Sequence, residues 1–196
     1  MKFEVDTKGM SRVLKLVENI EKGREKALYR NVKAVQKKMK TMISAEIRKD
    51  PQHGLNLSKK YLDSKLRTGS ISYSKLQARV YASRRGTLLS RFGATQRAKT
   101  TFVKKYGEKR KVNNGIAVKV LAKGRKKRMK GAFFIRLKNS GVQGVAIRKR
   151  GKLKVLYGPS PDQAMAQVLK HSDIRERVSA FAAEDLRHQV THLLRK

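Results

Sequence analysis

Between Arg24 and Arg48 the apolar residues Leu28, Val32, Val35, Met39, Met42, Ile43 and Ile47 recur at spacings of three and four on an otherwise cationic segment. Only a helix puts residues so spaced on a single stripe, and the stripe must be buried against something apolar. The spacing therefore predicts a helix over 24–48, ended by Asp50-Pro51, because the residue before a proline disfavours the α region. Upstream, Phe3 and Val5 alternate over Lys2–Thr7 as in a short strand. Ser11 then fits the N-cap of a helix carrying Val13, Leu14, Val17 and Ile20, with a kink or break at Gly23. Ser58 fits the cap of a short helix over Lys59–Leu66.

In the middle of the chain the period drops to two. Leu76, Ala78, Val80 and Ala82 alternate, as do Ile116, Val118 and Val120, and further strands are expected at Ala132–Leu137, Val142–Arg148 and Leu153–Leu156. Gly-rich, basic connections between them read as hairpin loops. Helical spacing returns after Ser160-Pro161-Asp162-Gln163, which offers an N-cap, a proline at the first helical position and a glutamine at the third. A second start at Asp173 leads into a buried stripe of Ile174, Val178, Phe181, Ala182, Leu186, Val190 and Leu193. The expected fold is one α+β domain over residues 1–196: helices to residue 66, a basic antiparallel sheet over 70–158, and C-terminal helices over 160–195.

The chain's 196 residues and 39% apolar content suffice for a globular core. Its 50 Lys and Arg stand against 14 Asp and Glu, a net charge of +36, so the folded chain repels itself and calls for a polyanionic neighbour. The imbalance is local. Positions 64–161 hold 28 Lys and Arg and a single acidic residue, Glu108, a net +27. Three runs are densest: Lys104, Lys105, Lys109, Arg110 and Lys111; Lys123, Arg125, Lys126, Lys127, Arg128 and Lys130; and Arg148, Lys149, Arg150 and Lys152. Each is placed in a loop or at a strand end, where one edge of a sheet could gather them. A single run of this kind is usually a solvated loop, but three runs almost unopposed by acid point to contact with nucleic acid or an acidic protein. Lysine-rich loops without fixed base-edge geometry meet phosphate rather than sequence. Aromatic residues make up 6% of the chain and include no tryptophan, which gives little basis for stacking on single strands.

The chemistry of an enzyme is missing from the pattern. No cysteine is present to form a disulfide or a thiolate metal site, which is compatible with a reducing compartment. His188 and His192 share a helix face, but no H-E-x-x-H pattern accompanies them, and His53 and His171 have no evident partners in sequence. A nuclease needs clustered carboxylates where DNA would lie, and that region is nearly free of them. Glu184-Asp185 reads as a solvated helix face, and Ser90 and Ser140 lack a neighbouring base. The glycines of Gly141-Val142-Gln143-Gly144 match a backbone-clamping GxxG loop, but between two strands they make a hairpin turn. No cofactor is expected. No apolar run is long enough to span a membrane and the N-terminus lacks a signal-peptide pattern, so a soluble, non-secreted protein without a membrane partner is expected.

Five blocks carry a resemblance: Leu55–Leu66 (LNLSKKYLDSKL), Ala78–Phe92 (ARVYASRRGTLLSRF), Gly131–Lys138 (GAFFIRLK), Gly144–Arg148 (GVAIR) and Leu153–Gln163 (LKVLYGPSPDQ). In content and order they resemble the minor tail protein Z family of tailed phages and prophages, over most of the chain from about residue 27 onward. Residues 94–111 and the lysines of 123–130 lie outside the likeness. The resemblance implies a structural tail completion protein at the head-proximal end of a phage tail, made in the host cytoplasm, which helps the tail join the head and receive the DNA end. It implies neighbours among tail terminator and tube proteins, non-specific contact with phage DNA, and a ring of identical copies. It supplies no catalytic residue. Leu28, Val32, Val35, Met39, Ile43, Val178, Phe181 and Leu186 are then the expected subunit-packing positions. The alternative reading is a non-sequence-specific double-stranded nucleic-acid-binding protein of ribosomal or nucleoid type.

Overall fold

The computed structural model describes residues 7–50, 52–103 and 108–194, with side chains described for 23–50, 52–96 and 115–193. The fold is α+β, with a long N-terminal helix, small antiparallel sheets in the middle and two C-terminal helices. The strand expected at Lys2–Thr7 lies outside the described residues except for Thr7, which opens a helix.

That helix, α1 (Thr7–Lys49), is continuous. It neither starts at Ser11 nor breaks at Gly23, because one glycine inside a helix costs only about 1 kcal/mol. Gly23 instead provides room: a Cβ there would sit 2.7 Å from Leu193 Cδ2. The helix ends as Asp50-Pro51 requires. Asp50 N–H donates to the Glu46 carbonyl at 2.9 Å, and Arg48 and Lys49 in the last turn complement the helix dipole.

The chain divides into two compact units. One comprises residues 1–41, 68–80 and 173–196. Here α1 packs beside α4 (Ile174–Leu194), and the buried Asn31 amide donates to the Ala182 carbonyl at 3.0 Å and to Asp185 Oδ2 at 2.9 Å. Tyr29 stacks on Tyr73 with ring centroids 4.7 Å apart. Of the strand expected over Leu76–Ala82, the part up to Arg79 belongs instead to a loop over residues 69–79. Gly69 N–H closes it onto the Arg79 carbonyl, and the buried Gln36 amide donates to both the Gly69 and Arg79 carbonyls at 3.0 and 3.1 Å. Beyond this loop Val80–Ala82 is extended as β2, paired with β1 (Leu66–Thr68). The α4 stripe is buried at Ile174, half-buried from Val178 to Leu186 and exposed at Val190.

The other unit comprises residues 42–67 and 81–172. Its core is built from Ile43, Ile47, Leu62, Leu66, Phe92, Ile116, Val145 and Val168. Ser58 caps α2 (Lys59–Lys65), accepting the Tyr61 N–H, and the buried Ser44 hydroxyl meets Asp63 Oδ1 at 2.5 Å. The single central sheet expected from sequence is, among the described residues, divided instead into the β1–β2 pair and three further antiparallel sheets: β3 (Thr87–Leu88) with β10 (Tyr157–Gly158), β4 (Thr95–Val103) with β5 (Glu108–Val118) and β6 (Lys127–Met129), and β7 (Phe133–Arg136) with β8 (Gln143–Lys149) and β9 (Lys152–Val155). Within the two three-stranded sheets each strand pairs with its neighbour in the chain, and the short outer strands β6, β7 and β9, of three or four residues, end each sheet there. A turn at Leu89–Arg91 links them, with Leu89 N–H on the Leu156 carbonyl and Leu156 N–H on the Val145 carbonyl. Ser160 and Gln163 form the reciprocal cap of α3 (Pro161–His171) that the sequence predicts.

Candidate polyanion-binding surface

The three basic runs fall on three hairpins in two sheets, rather than along one edge. Lys104 and Lys105 lie outside the described residues. Lys109, Arg110 and Lys111 stand at the start of β5, opposite Phe102, Thr101 and Thr100 of β4. The run Thr95–Val103, rich in threonine and ending Phe-Val, has the β propensity that makes this strand, and its alternation is hidden by interspersed Arg97, Ala98 and Lys99. Lys123, Arg125 and Lys126 occupy the β5–β6 connection, Lys127 and Arg128 lie in β6, and Lys130 follows it; all six are exposed. Since β6 is the outer strand of its sheet, cations there also discourage edge-to-edge pairing. Arg148 and Lys149 end β8, Arg150 makes the turn at φ 50°, and Lys152 opens β9, again all exposed.

The β5–β6 connection is held in place by the segment after α1. Asn56 N–H donates to the Val120 carbonyl at 2.8 Å, its side-chain amide to the Lys119 carbonyl at 3.1 Å, and Ala122 N–H to the Gly54 carbonyl at 2.7 Å. Leu55 and Leu121 form a bridge between the two stretches. The stretch that leads into the cations, Lys119 to Ala122, is thus fixed to the segment after α1.

A second cationic feature is absent from the sequence reading. Ser64, Lys65, Arg67, Tyr81, Ala82, Ser83 and Arg85 line an open hollow of about 430 Å³. Ser83 N–H donates to the Lys65 carbonyl at 3.2 Å, and Lys65 Nζ lies 5.6 Å from the Tyr61 ring centroid. Three cations, a phenol and two hydroxyls around one hollow suit a phosphate or another oxyanion. Lys65 and Arg85 meet only through folding; the sequence signal was the Arg84-Arg85 pair just beyond an alternating run. Arg84 itself faces Asp162 at 3.9 Å in a highly exposed pair that adds little stability.

Among the subunit-packing positions, Val35 and Ile43 are buried within the chain and so are not free to meet a partner. Burial by the chain itself takes the stripe residues nearest its core first. Leu28, Val32, Met39, Val178, Phe181 and Leu186 remain half-buried, and Lys38 Nζ lies 5.2 Å from the Phe181 ring centroid.

Among the described residues no three His, Cys, Asp or Glu side chains come together as a metal site would require. His188 and His192 are both exposed on α4. Ser90 Oγ donates to the Gln143 carbonyl at 2.6 Å. Among the described residues, no helix is long and apolar enough to cross a membrane. His53 and His171, without partners in sequence, stack on each other with centroids 5.1 Å apart.

Beside that pair, the buried Asp50 carboxylate accepts the backbone N–H groups of His53 at 2.7 Å and Gln52 at 2.8 Å. The His53 N–H chiefly holds its pKa below the ordinary 3.8, against the opposing effect of burial. A depressed carboxylate pKa adds stability that is fully present above the unfolded value and is lost as pH falls through the folded one. Asp50→Ala is therefore expected to lose about 1–2 kcal/mol at neutral pH by orphaning two donors. Urea titrations should show the gap from wild type closing below pH 3.8; a gap constant with pH would contradict this role.

No protein-family model, no curated protein and no solved structure matches the chain.

Proposed function

We propose that this chain is a structural component of a phage tail, a tail completion protein that sits near the head-proximal end and offers a cationic surface to the DNA end or to an acidic neighbour. The observation that carries the reading is the charge of residues 64–161: 28 Lys and Arg against one carboxylate, displayed on hairpins and around the Arg67–Arg85 hollow. A lone chain gains nothing from such repulsion; a chain packed against a polyanion does. The likeness to minor tail protein Z supports the assembly context, and its most distinctive block builds β10 and the reciprocal cap of α3. Copies arranged about an axis would multiply the charge facing it, with counterions released as phosphates are neutralised.

The test is a phage carrying Lys126, Lys127 and Arg128 replaced together by alanine. Tails of normal length are expected to assemble, with infectious particles reduced at least about tenfold through failed head joining or DNA placement. Full infectivity of that variant would remove the basis for the reading.

A further inference from the structure

Under the β5–β6 connection lies a hollow of a different character from the cation-lined one. Leu89, Val118, Val120, Leu121 and Met129 make its walls, Arg125 and Lys127 its rim, and it encloses about 460 Å³. Val118 and Leu89 are buried at its base, while Leu121 remains 43% exposed. An apolar recess of this size bordered by the cations Arg125 and Lys127 asks for a ligand with both characters.

We propose that this hollow receives a bulky apolar side chain from an acidic segment of a neighbouring protein, with the carboxylates on either side held by Lys123, Arg125, Lys126 and Lys127. The charge around the recess selects an acidic segment; the recess itself selects protein over nucleic acid. A duplex presents phosphates and sugars outward and keeps its bases stacked, so it has nothing apolar to seat there, whereas a leucine or phenylalanine would be desolvated on several sides. Arg125 and Lys127 contribute twice, through aliphatic stems beside the recess and charged heads that remain exposed. The inference rests on the proposed role of the basic region as a contact surface and narrows it at this one loop to a protein partner.

Fluorescence polarisation with the full chain tests it, using three probes: a glutamate-rich peptide with a central Leu-Phe pair, the same peptide with two central alanines, and a short DNA duplex. The Leu-Phe peptide is expected to bind about tenfold more tightly than the alanine peptide. That advantage should vanish in Leu121→Ser, whose backbone bridge to Leu55 and exposed position leave the fold intact, as an unchanged thermal melt would verify. Alanine-peptide and DNA affinities should be the same in both proteins. Equal binding of the two peptides, or a Leu-Phe advantage that survives Leu121→Ser, overturns the recess as a docking site while the polyanion reading stands. Binding of DNA with neither peptide bound overturns it in favour of nucleic acid, and binding of no probe overturns both.

Discussion

Replacing Gly115 by alanine is expected to destabilise the protein by roughly 3 kcal/mol or more. Gly115 sits where the β4–β5 register slips between Gln96 and Ala98, so that two residues of β5 oppose one of β4. Its φ is +87°, and a Cβ there would lie 2.1 Å from the Met129 carbonyl oxygen. The clash is with backbone, so no side-chain rotation relieves it. Relief requires β6 to move from β5, where Ile116, Ala117 and Val118 face Met129, Arg128 and Lys127. Those three β5 residues are buried, so the core opens with the shift. Gly131 provides the control: its φ is +72°, yet nothing lies within 4 Å of a Cβ, so Gly131→Ala is expected to lose only about 1–2 kcal/mol. Urea midpoints measure both, and equal losses would show that backbone strain alone, without the clash, governs Gly115.

The affinity of the free chain for duplex DNA is expected to be indifferent to sequence and to fall by about 10³–10⁵ between 50 and 200 mM salt, if about six to ten phosphates are contacted. The β8–β9 hairpin gives the component most easily isolated. Changing Arg148, Lys149, Arg150 and Lys152 to glutamine should reduce the slope of log K against log salt by about 3–4. All four are exposed on or beside a two-residue turn, so the fold should tolerate the change. A slope unchanged in the quadruple variant would take this hairpin out of the contact surface. The same titration separates the two functional readings. A host nucleic-acid-binding protein should hold duplex DNA tightly as a monomer, whereas a tail component depends on neighbouring copies for most of its avidity.

The helices were legible in the sequence because their signals are local. Ser58, Asp50-Pro51 and Ser160-Pro161-Asp162-Gln163 act within one turn of the backbone they terminate or cap; in the structure α1 ends at Lys49, and Ser58 and Ser160 cap α2 and α3. What escaped depended on partners distant in the chain. Gly23 looked like a break because its use, the approach of Leu193, lies 170 residues away. The alternation from Leu76 to Ala82 yields a strand only at Val80–Ala82; its earlier part belongs to a loop whose ends are held by the distant Gln36 amide at the Gly69 and Arg79 carbonyls. The charge surface was visible as composition, while its division among separate hairpins was not. Neither the Lys65–Arg67–Arg85 hollow nor the apolar recess under Leu121 corresponds to any contiguous motif, since each joins residues that only the folded chain brings together.

The Asn56 anchor alters what binding at the β5–β6 connection involves. A lysine-rich loop without such support would have to surrender its backbone freedom on meeting a polyanion, at roughly 1–2 kcal/mol for each residue ordered. Here Val120 and Ala122 are tied to Asn56 and Gly54, so that for the first half of the connection this entropy is lost during folding rather than at contact. If the loop is a contact surface as proposed, that saving falls on its first half, up to Ala122, and the ordering cost left at contact is confined to the residues from Lys123 to Lys126.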